Sequence, residues 1–419
     1  MTGGYLARII DRELDLYLKS FGAVLIEGAK WCGKTRTGEE KASSMVYFHD
    51  PRLKRQYQEM AEVAPEALLS GETPRLIDEW QTIPAIWDGI RYEVDRRGEM
   101  GQFILTGSSS PKKDSVMHTG TGRIARLLMR PMTLFESGDS NGSVSLGSLF
   151  RGEGIAGESG LTLERVAFVL VRGGWPASVV CEESDALLVA DQYVKSIIKS
   201  DISGSDGVER DPYRTEQVIR SLARNTSTMA GLKTIQKDVA SEVESSDKTI
   251  ASYIKALKGI FVVEELPAWT PEIRSRIHQR ASPKHHFVDP SIAAAALQVS
   301  PQDLIWDLKT FGLLFESLCI RDLRVYAQAL KGKVMHYHDG SGLEVDAIVT
   351  RYGGQWGAVE IKMGTGEVEK AAQNLKKLRD KVDTDRMRGP SFLMVLTSMG
   401  FAYRREDGVY VVPIGCLKD

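Results

Sequence analysis

The segment that decides the fold is Ala23-Val24-Leu25-Ile26-Glu27-Gly28-Ala29-Lys30-Trp31-Cys32-Gly33-Lys34-Thr35, an apolar run followed by the pattern G-x-x-x-x-G-K-[ST]. The apolar run predicts a strand buried on both faces, as in parallel sheets. The two glycines let the loop curl so that backbone N–H groups point at phosphates, and the next helix offers its N-terminus to the same anion. Chance also produces the bare pattern, but its position between a strand and a helix favours a phosphate-binding loop.

Each side chain of this loop has an expected role. Lys34 is predicted to reach the β- and γ-phosphates of a nucleotide, and Thr35 to bind Mg²⁺ through its hydroxyl. Trp31 and Cys32 are larger than the residues of many such loops, which would affect nucleotide affinity and not the chemistry. The expected nucleotide contacts are Gly28, Ala29, Lys30, Trp31, Cys32, Gly33, Lys34, Thr35 and Arg36, with Thr106 from a later strand.

Three further apolar runs, at 45–48, 76–77 and 103–105, predict more strands of the same sheet. Helical segments lie between them, and this alternation favours a doubly wound parallel α/β fold. The run at 76–77 ends in two acids, of which Asp78 would hold Mg²⁺ through water and Glu79 would polarise the attacking water. An acidic pair is also common at solvated strand ends, so the phosphate loop is what favours the catalytic interpretation.

Two other elements suit nucleotide hydrolysis. Residues 106–109 (TGSS) follow the run at 103–105, where a parallel sheet would bring them beside the phosphate loop, so that Thr106 or a serine would sense the γ-phosphate. A capped turn is the alternative. Arg123 and Arg126 are candidate arginine fingers, with surface cations as the alternative. A finger supplied by a neighbouring chain would require a homo-oligomer.

The last hundred residues contain a second set of charged residues. Glu316 falls on a predicted helix and Asp346 on a strand, while Glu360 and Lys362 share one face of the next strand. Pairing of the two strands as a hairpin would bring Asp346 to them. Three carboxylates and a lysine predict a Mg²⁺ or Mn²⁺ site that activates water against a phosphodiester, with Lys362 positioning the nucleophile or steadying the transition state. A half-exposed structural strand is the alternative.

The middle of the chain is predicted to be mostly helical. Segments 233–245, 247–259 and 261–266 suggest helix, helix and strand, the order of a winged helix-turn-helix, with Asp247 as the N-cap of the second helix. A helical lid or linker is the alternative. Contacts to DNA phosphates are predicted for Lys255, Lys258 and the basic stretch at 274–286, which includes Lys284, His285 and His286.

Length and composition set the frame for these segments. The chain has 419 residues, of which 42% are hydrophobic and 26% charged, as in folded proteins of two to four domains. The Gly- and Ser-rich segment 137–165 predicts a linker or a long loop, so we expect domains at 1–140, 160–300 and 301–419. Net charge is −2, which restricts any basic surface to a local patch. No apolar stretch suits a membrane span or a leader, so a cytoplasmic protein is expected.

Together these motifs resemble those of prokaryotic AAA+-type ATPases joined to a C-terminal domain of unknown function. The resemblance rests on GAKWCGKT (28–35), LIDEWQTIPAIWDGIRYEVDRRG (76–98), FILTGSSS (103–110) and TGRIARLLMRPMTLFE (121–136), together with GGWP (173–176) and HFVDP (286–290). It covers most of the chain. It implies ATP and Mg²⁺ as ligands of the first domain.

The C-terminal pattern resembles the PD-(D/E)XK restriction-endonuclease-like superfamily at Glu316, Asp346, Glu360 and Lys362. The resemblance implies that fold for 301–419, and DNA as a partner. The proline before the aspartate is absent, since Val345 stands there. The Gln-x-x-x-Tyr element of the RecB-like branch is incomplete, because Lys377 follows Gln373 at the fourth position.

These patterns predict an ATPase coupled to a DNA-binding module with a nuclease-like, Mg²⁺- or Mn²⁺-dependent site. One alternative is an ATP-dependent switch or scaffold whose nuclease-like domain only binds DNA or protein. Another is a small-molecule kinase, because phosphate loops also serve kinases. The acidic pair, the TGSSS loop and the two arginines favour attack by water.

Overall fold

A computed structural model describes residues 4–109, 120–204, 207–271 and 282–419. The chain divides into two compact units. The first contains Met1–Pro131, Ser200–Glu209 and Ala256–Val262, and the second contains Met132–Lys199, Arg210–Lys255 and Val263–Asp419. In the part of the chain that the structure describes, no helix is long and apolar enough to span a membrane.

A five-stranded parallel sheet forms the centre of the first unit. Its strands are β1 (Ala23–Glu27), β2 (Ser44–Tyr47), β3 (Arg75–Asp78), β4 (Phe103–Gly107) and β5 (Ile124–Leu128), in the spatial order β2-β3-β4-β1-β5. The helices before β5 are α1 (Asp11–Ser20), α2 (Lys34–Glu39), α3 (Lys54–Val63), α4 (Pro65–Leu69) and α5 (Ile86–Arg97). The four predicted strands are confirmed, and parallel strands require such crossover helices.

A tryptophan pair anchors the segment that follows β3. The rings of Trp80 and Trp87 are 4.6 Å apart, and both side chains are buried in an apolar cluster with Phe103. Trp80 lies in a short 3₁₀ turn directly after the acidic pair. Burial of the two indoles therefore fixes the chain where β3 ends, at the edge that carries the phosphate loop.

The second unit contains the remaining strands in three sheets. They are β6 (Val144–Ser145), β7 (Gly157–Glu158), β8 (Val263–Leu266), β9 (Lys284–Phe287), β10 (Lys333–His338), β11 (Glu344–Arg351), β12 (Gln355–Lys362), β13 (Phe392–Thr397), β14 (Phe401–Arg404), β15 (Tyr410–Pro413) and β16 (Leu417–Lys418). Seven of them form a mixed sheet in the order β10-β11-β12-β13-β15-β14-β7, and β6 pairs with β16 and β8 with β9.

Helices account for most of the chain between residues 146 and 329. They are α6 (Leu146–Phe150), α7 (Leu163–Arg172), α8 (Pro176–Val180), α9 (Glu183–Ala186), α10 (Leu188–Ser196), α11 (Ile202–Gly204), α12 (Pro212–Arg224), α13 (Leu232–Ala240), α14 (Asp247–Gly259), α15 (Pro290–Leu297), α16 (Pro301–Trp306) and α17 (Leu308–Ala329). The last helix, α18 (Val368–Lys381), connects the parallel strands β12 and β13.

The linker prediction for residues 137–165 is wrong. This segment supplies β6, α6 and β7, and its side chains Leu146, Leu149 and Phe150 are buried. Some of its glycines lie in close packing, since a Cβ on Gly157 would lie 2.3 Å from the Ser143 Oγ. Composition alone does not distinguish this use of glycine and serine from a flexible connection.

The helix, helix and strand predicted for residues 233–266 correspond to α13, α14 and β8. The cap of the second helix differs, because the Thr249 backbone N–H donates to the Ser246 Oγ at 3.2 Å, one residue earlier than the predicted Asp247 cap. Lys255 and Lys258 are exposed on α14. Arg274, Arg276, His278 and Arg280 of the basic stretch lie outside the described residues.

Two of the motifs that carried the family resemblance meet in the second unit. The Gly174 backbone N–H donates to the Asp289 carboxylate at 2.9 Å, and the Trp175 indole N–H donates to the Ser291 Oγ at 3.0 Å. Arg321 on α17 pairs with Asp289 at 2.9 Å and with Asp322. The GGWP and HFVDP segments are therefore joined by a fully buried charge network, which is a structural role.

Candidate functional site

The phosphate loop lies between β1 and α2. Gly28 has φ +154° and its Cβ would lie 2.1 Å from the Met129 carbonyl oxygen, so only glycine fits there. Gly33 has φ +106°, which again favours glycine. The buried Lys34 ammonium donates to the Gly28 and Ala29 carbonyl oxygens at 2.9 and 2.7 Å. Lys34 is therefore held within the loop by backbone atoms.

Both sides of the loop are tied to the rest of the first unit. The buried Arg8 guanidinium donates to the Cys32 carbonyl at 2.8 Å and to the Arg130 carbonyl at 2.8 Å. Cys32 is fully buried, whereas Trp31 is about half exposed and has φ +65°. Lys30 is on the surface and pairs with Asp201 at 2.7 Å. The predicted nucleotide contacts thus divide into buried structural positions and solvent-facing ones.

Three oxygen-bearing side chains meet where the loop faces β3. The Thr35 and Thr106 hydroxyls each donate to the Asp78 Oδ1 at 2.7 Å. The His49 Nδ1 lies 3.0 Å from the Asp78 Oδ2. Thr106 comes from β4, which separates β3 from β1 in the sheet. Hydroxyl and carboxylate oxygens are the donors that Mg²⁺ takes, so Thr35 and Asp78 fit the predicted metal role.

A second contact set holds Glu79. Its backbone lies in the left-handed region at φ +55°, and its N–H donates to the Thr106 hydroxyl at 3.0 Å. The Glu79 carboxylate accepts from Ser108 at 3.1 Å and from the Gln81 amide. The left-handed turn and the two donors fix the position of the carboxylate, as a group that polarises water would require.

The candidate arginine fingers both form ion pairs within the first unit. Arg123 donates to Asp95 at 2.9 Å, and Arg126 donates to Glu27 at 2.9 Å. Arg126 also lies over the Trp87 ring, 5.6 Å from its centroid. Both side chains are nearly half exposed. Each is therefore positioned by a carboxylate and still reaches the surface.

The four predicted C-terminal residues come together with Lys284 and Glu344 in the second unit. Lys362 lies 2.8 Å from Glu360 and 3.3 Å from Asp346, whose Oδ2 also accepts the Ile361 backbone N–H at 2.7 Å. Lys284 on β9 lies 3.1 Å from Glu316. We name this set the acid–lysine cluster; its members are Glu316, Glu344, Asp346, Glu360, Lys284 and Lys362.

Burial and mutual repulsion shift the pKa values of two cluster carboxyls. Burial, and then the charge of Asp346, raises the pKa of Glu316 to about 8, against the pull of Lys284. The same two causes raise the pKa of Glu360 to about 7, against Lys362. Perturbed carboxyls of this kind are typical of functional sites.

Both cluster lysines keep their charge. Burial alone would lower the pKa of Lys284, but Glu316, Asp346 and Glu344 outweigh it and raise that pKa. Lys362 behaves in the same way, since Asp346 and Glu360 outweigh its burial. Two ammonium groups therefore lie among the cluster carboxylates at neutral pH.

A cleft of about 590 Å³ opens onto one side of the cluster. Glu316 and Lys362 line it, together with the apolar side chains of Leu313, Met363 and Met399. Asp346 and Glu360 lie behind, buried in the sheet. Lys309 and Glu367 also line the cleft, so a ligand would meet charges of both signs there, with Glu316 and Lys362 as the cluster members that it reaches first.

The cluster carboxylates are of the donor type that Mg²⁺ and Mn²⁺ prefer, but their arrangement does not suit an ion. Across the described ranges, with their gaps at 110–119, 205–206 and 272–281, no three Asp, Glu, His or Cys side chains are grouped as a metal site. Oxygens of Glu316, Asp346 and Glu360 face lysine ammonium groups instead. These carboxylates could bind a metal ion only if a paired lysine ammonium group moved away.

Comparison with known protein families supports the phosphate loop. Residues 20–137 match the family described as "AAA domain". This region is a P-loop ATPase domain. Residues 163–303 match the domain of unknown function DUF8612, and residues 311–417 match the domain of unknown function DUF4143. The two C-terminal matches assign no activity, and the restriction-endonuclease-like fold stays a prediction.

The comparison with solved structures gives a fold neighbour of low similarity. The chain is similar to the Walker-type ATPase PABY2304 of Pyrococcus abyssi, with 14% identity and a TM-score of 0.41. The similarity covers 69% of this chain and 94% of that one. No curated protein matches this chain.

The sequence patterns missed one lysine of the cluster and one asparagine that contacts it. Lys284 was expected to contact DNA phosphates, but it is 2% exposed, and His286 on the same strand is also buried. The expected surface role of this part of the basic stretch is therefore wrong, because β9 is packed inside the second unit. Asn374 donates to Glu360 at 2.5 Å, whereas the neighbouring Gln373 is exposed. The sequence signal that could have indicated Asn374 is a lone asparagine on the apolar face of α18.

Proposed function

We propose that this protein hydrolyses ATP at the P-loop and uses the cycle to control a nucleic-acid-processing C-terminal module. The single observation that carries the proposal is the convergence of Glu316, Asp346, Glu360 and Lys362 at the inner end of an open cleft. These residues come from a helix and two strands, and two of the four, Asp346 and Glu360, are buried despite their charge. Buried charges are costly to fold around, which favours a functional reason for the cluster.

In the ATPase domain, the loop N–H groups and Lys34 would bind the phosphates, and Thr35 and Asp78 would hold Mg²⁺. The ion would neutralise charge on the β- and γ-phosphate oxygens. Glu79 would take the proton of the attacking water, with Ser108 and Gln81 keeping its carboxylate in place. A γ-phosphate in contact with Thr106 would alter the hydrogen bonds of its hydroxyl with Asp78 and with the Glu79 backbone N–H.

In the C-terminal module, Glu316, Asp346 and Glu360 would hold Mg²⁺ or Mn²⁺ once a paired lysine ammonium group had moved away, and the ion would supply a Lewis acid for phosphodiester cleavage. Lys362 would orient the attacking water or stabilise the phosphate charge. DNA would approach through the cleft, with a further phosphate contact from the exposed Lys255 on α14. Asn374 would keep the Glu360 carboxylate oriented.

The test incubates the purified protein with plasmid and linear DNA and with Mg²⁺ or Mn²⁺, in the presence and absence of ATP. We expect cleavage that depends on the metal and changes with ATP, and that is lost in Asp346→Asn and Lys362→Met. Lys381→Met, which removes an exposed lysine paired with Asp339, is the matched control. Cleavage that persists in Asp346→Asn would exclude the cluster as its source.

A second function is favoured by the lysine contacts. The two ammonium groups neutralise the carboxylates without a metal, which suits a module that only binds DNA or protein under the control of ATP. That function predicts nucleotide-dependent binding of DNA in a gel-shift assay and no cleavage under any metal condition. The same incubations therefore separate the two functions.

A further inference from the structure

Lys284 is the member of the acid–lysine cluster that no sequence motif accounts for. Its Nζ lies 3.1 Å from the Glu316 Oε1 and 2.8 Å from the Glu344 Oε1, and the side chain is 2% exposed. Asp346 also acts on its charge. Lys284 therefore lies where the cluster needs a cation, and it binds the carboxylate that lines the cleft.

The strand that carries Lys284 is separate from the sheet that carries Asp346 and Glu360. β9 pairs only with β8 among the described strands, and Lys284 is its first residue, opposite Leu266. Side chains two residues apart share a strand face, and the His286 Nδ1 lies 3.3 Å from the Ser317 Oγ, next to Glu316 on α17. Lys284 and His286 thus hold β9 against the helix that supplies Glu316.

We propose that Lys284 is a built-in counter-cation that keeps divalent metal out of the acid–lysine cluster. This inference rests on the proposed metal-dependent function of the same cluster and names how that site is regulated. An ammonium group neutralises Glu316 and Glu344, but unlike a divalent metal ion it cannot act as a Lewis acid toward water or phosphate. With Lys284 in place, Glu316 is unavailable as a ligand, and only Asp346 and Glu360 remain.

The proposal predicts that removal of the ammonium group alone creates a metal site. Lys284→Met keeps most of the side-chain volume and removes the charge, whereas Lys284→Arg keeps the charge. Mn²⁺ binding to the full-length, nucleotide-free protein is measured from the loss of the free Mn²⁺ signal in electron paramagnetic resonance. All proteins carry Asp78→Asn, so that the ATPase site does not contribute.

We expect Lys284→Met to bind one Mn²⁺ at least tenfold more tightly than the parent, and Lys284→Arg to match the parent. Addition of Asp346→Asn to Lys284→Met should abolish the gain. Equal Mn²⁺ affinity of the parent and Lys284→Met would overturn the proposal.

If Lys284→Met fails to fold, Glu344→Gln provides the test, because it removes the half-exposed partner of Lys284. A several-fold gain in Mn²⁺ affinity would support the proposal, and no gain would overturn it.

The outcome is distinguishable from failure of the proposed function. Tighter Mn²⁺ binding by Lys284→Met without DNA cleavage would support the counter-cation and reject the nuclease. DNA cleavage by the wild-type protein that is equal in Lys284→Met, with equal Mn²⁺ affinity, would support the nuclease and reject the counter-cation.

Discussion

The phosphate loop and the acid–lysine cluster each place lysine ammonium groups beside oxygen atoms, but they do so with different parts of the chain. Lys34 donates to carbonyl oxygens five and six residues away in its own loop. Lys362 and Lys284 lie among carboxylates that come from α17, β11 and β12. The first arrangement is local and mostly backbone, and the second is assembled from distant charged side chains. A substitution of Lys34 should therefore lower activity with little loss of stability, whereas a substitution of a cluster lysine should lower both.

The largest effect is expected for Lys34→Ala. Loss of the ammonium group that stabilises phosphate charge should lower ATP hydrolysis by about 10³-fold, equivalent to about 4 kcal/mol of transition-state energy. Stability should change by only about 1 kcal/mol, because the carbonyl oxygens keep access to other donors. Phosphate release and urea denaturation measure the two quantities. Lys41→Ala, at a surface ion pair with Asp15, is the control. Full activity in Lys34→Ala would refute the role of the loop.

The matching substitution in the cluster, Lys362→Met, should lower the free energy of unfolding. It leaves Asp346 and Glu360 as two buried carboxylates without their shared cation, which costs about 3 kcal/mol. Urea denaturation at pH 7.5 measures the loss. Lys381→Met, at an exposed pair, should change the same free energy by less than about 1 kcal/mol. An equally small effect of Lys362→Met would mean that the two lysine sites do not differ in this way.

The hydrogen-bonded histidine beside the cluster predicts a pH dependence. Burial, and then the charge of Lys284, lowers the pKa of His336 to about 4; Glu344 and His338 also face it. The unfolded chain binds this proton below about pH 6.5 and the folded chain does not, so stability is lost as pH falls from about 6.5 to about 4. Between pH 7 and pH 5 the wild type should lose about 1–2 kcal/mol more than His336→Asn in urea denaturation. Equal losses in both proteins would contradict the assignment. Buried His286, whose pKa is also lowered, remains in both.

A smaller effect is expected at the hydroxyl that joins β4 to Asp78. Thr106→Val keeps the shape of the side chain but removes its hydrogen bonds to Asp78 and from Glu79. The kcat for ATP should fall about tenfold, since one positioning contact contributes about 1–2 kcal/mol. Ser109→Ala, which removes a hydroxyl later in the same loop, provides the comparison. A wild-type kcat in Thr106→Val would show that Asp78 and Glu79 are positioned without it.

The smallest structural effect is expected for the two arginine candidates. Arg123→Ala and Arg126→Ala each remove an exposed ion pair, so stability should change by less than about 1 kcal/mol. A large loss of ATP hydrolysis in one variant would then identify the finger, because no folding defect accompanies it. If the loss occurs and is restored by mixing with Lys34→Ala protein, the finger acts on a neighbouring chain.

Much of the ATPase domain was predictable because its signals are local. The strands β1 to β4 and the glycines at 28 and 33 follow from apolar runs and a spaced motif. The acid–lysine cluster was predictable only in part. Strand period and hairpin pairing indicated Asp346, Glu360 and Lys362, but nothing in the local pattern separated Lys284 from its basic neighbours. The linker prediction for residues 137–165 failed for the same reason. The burial of this segment depends on strands near the C-terminus, which a local pattern does not show.

The sequence by itself determined the phosphate loop, the parallel sheet that supports it and the residue types of the C-terminal cluster. These follow from backbone geometry and side-chain period, which act over a few residues. The tertiary structure alone decided which lysines neutralise which acids, that Asn374 and not Gln373 meets Glu360, and that Asp289 binds the Gly174 backbone. These contacts join residues far apart in the chain, because burial of a charge is acceptable only where the whole fold brings it a partner.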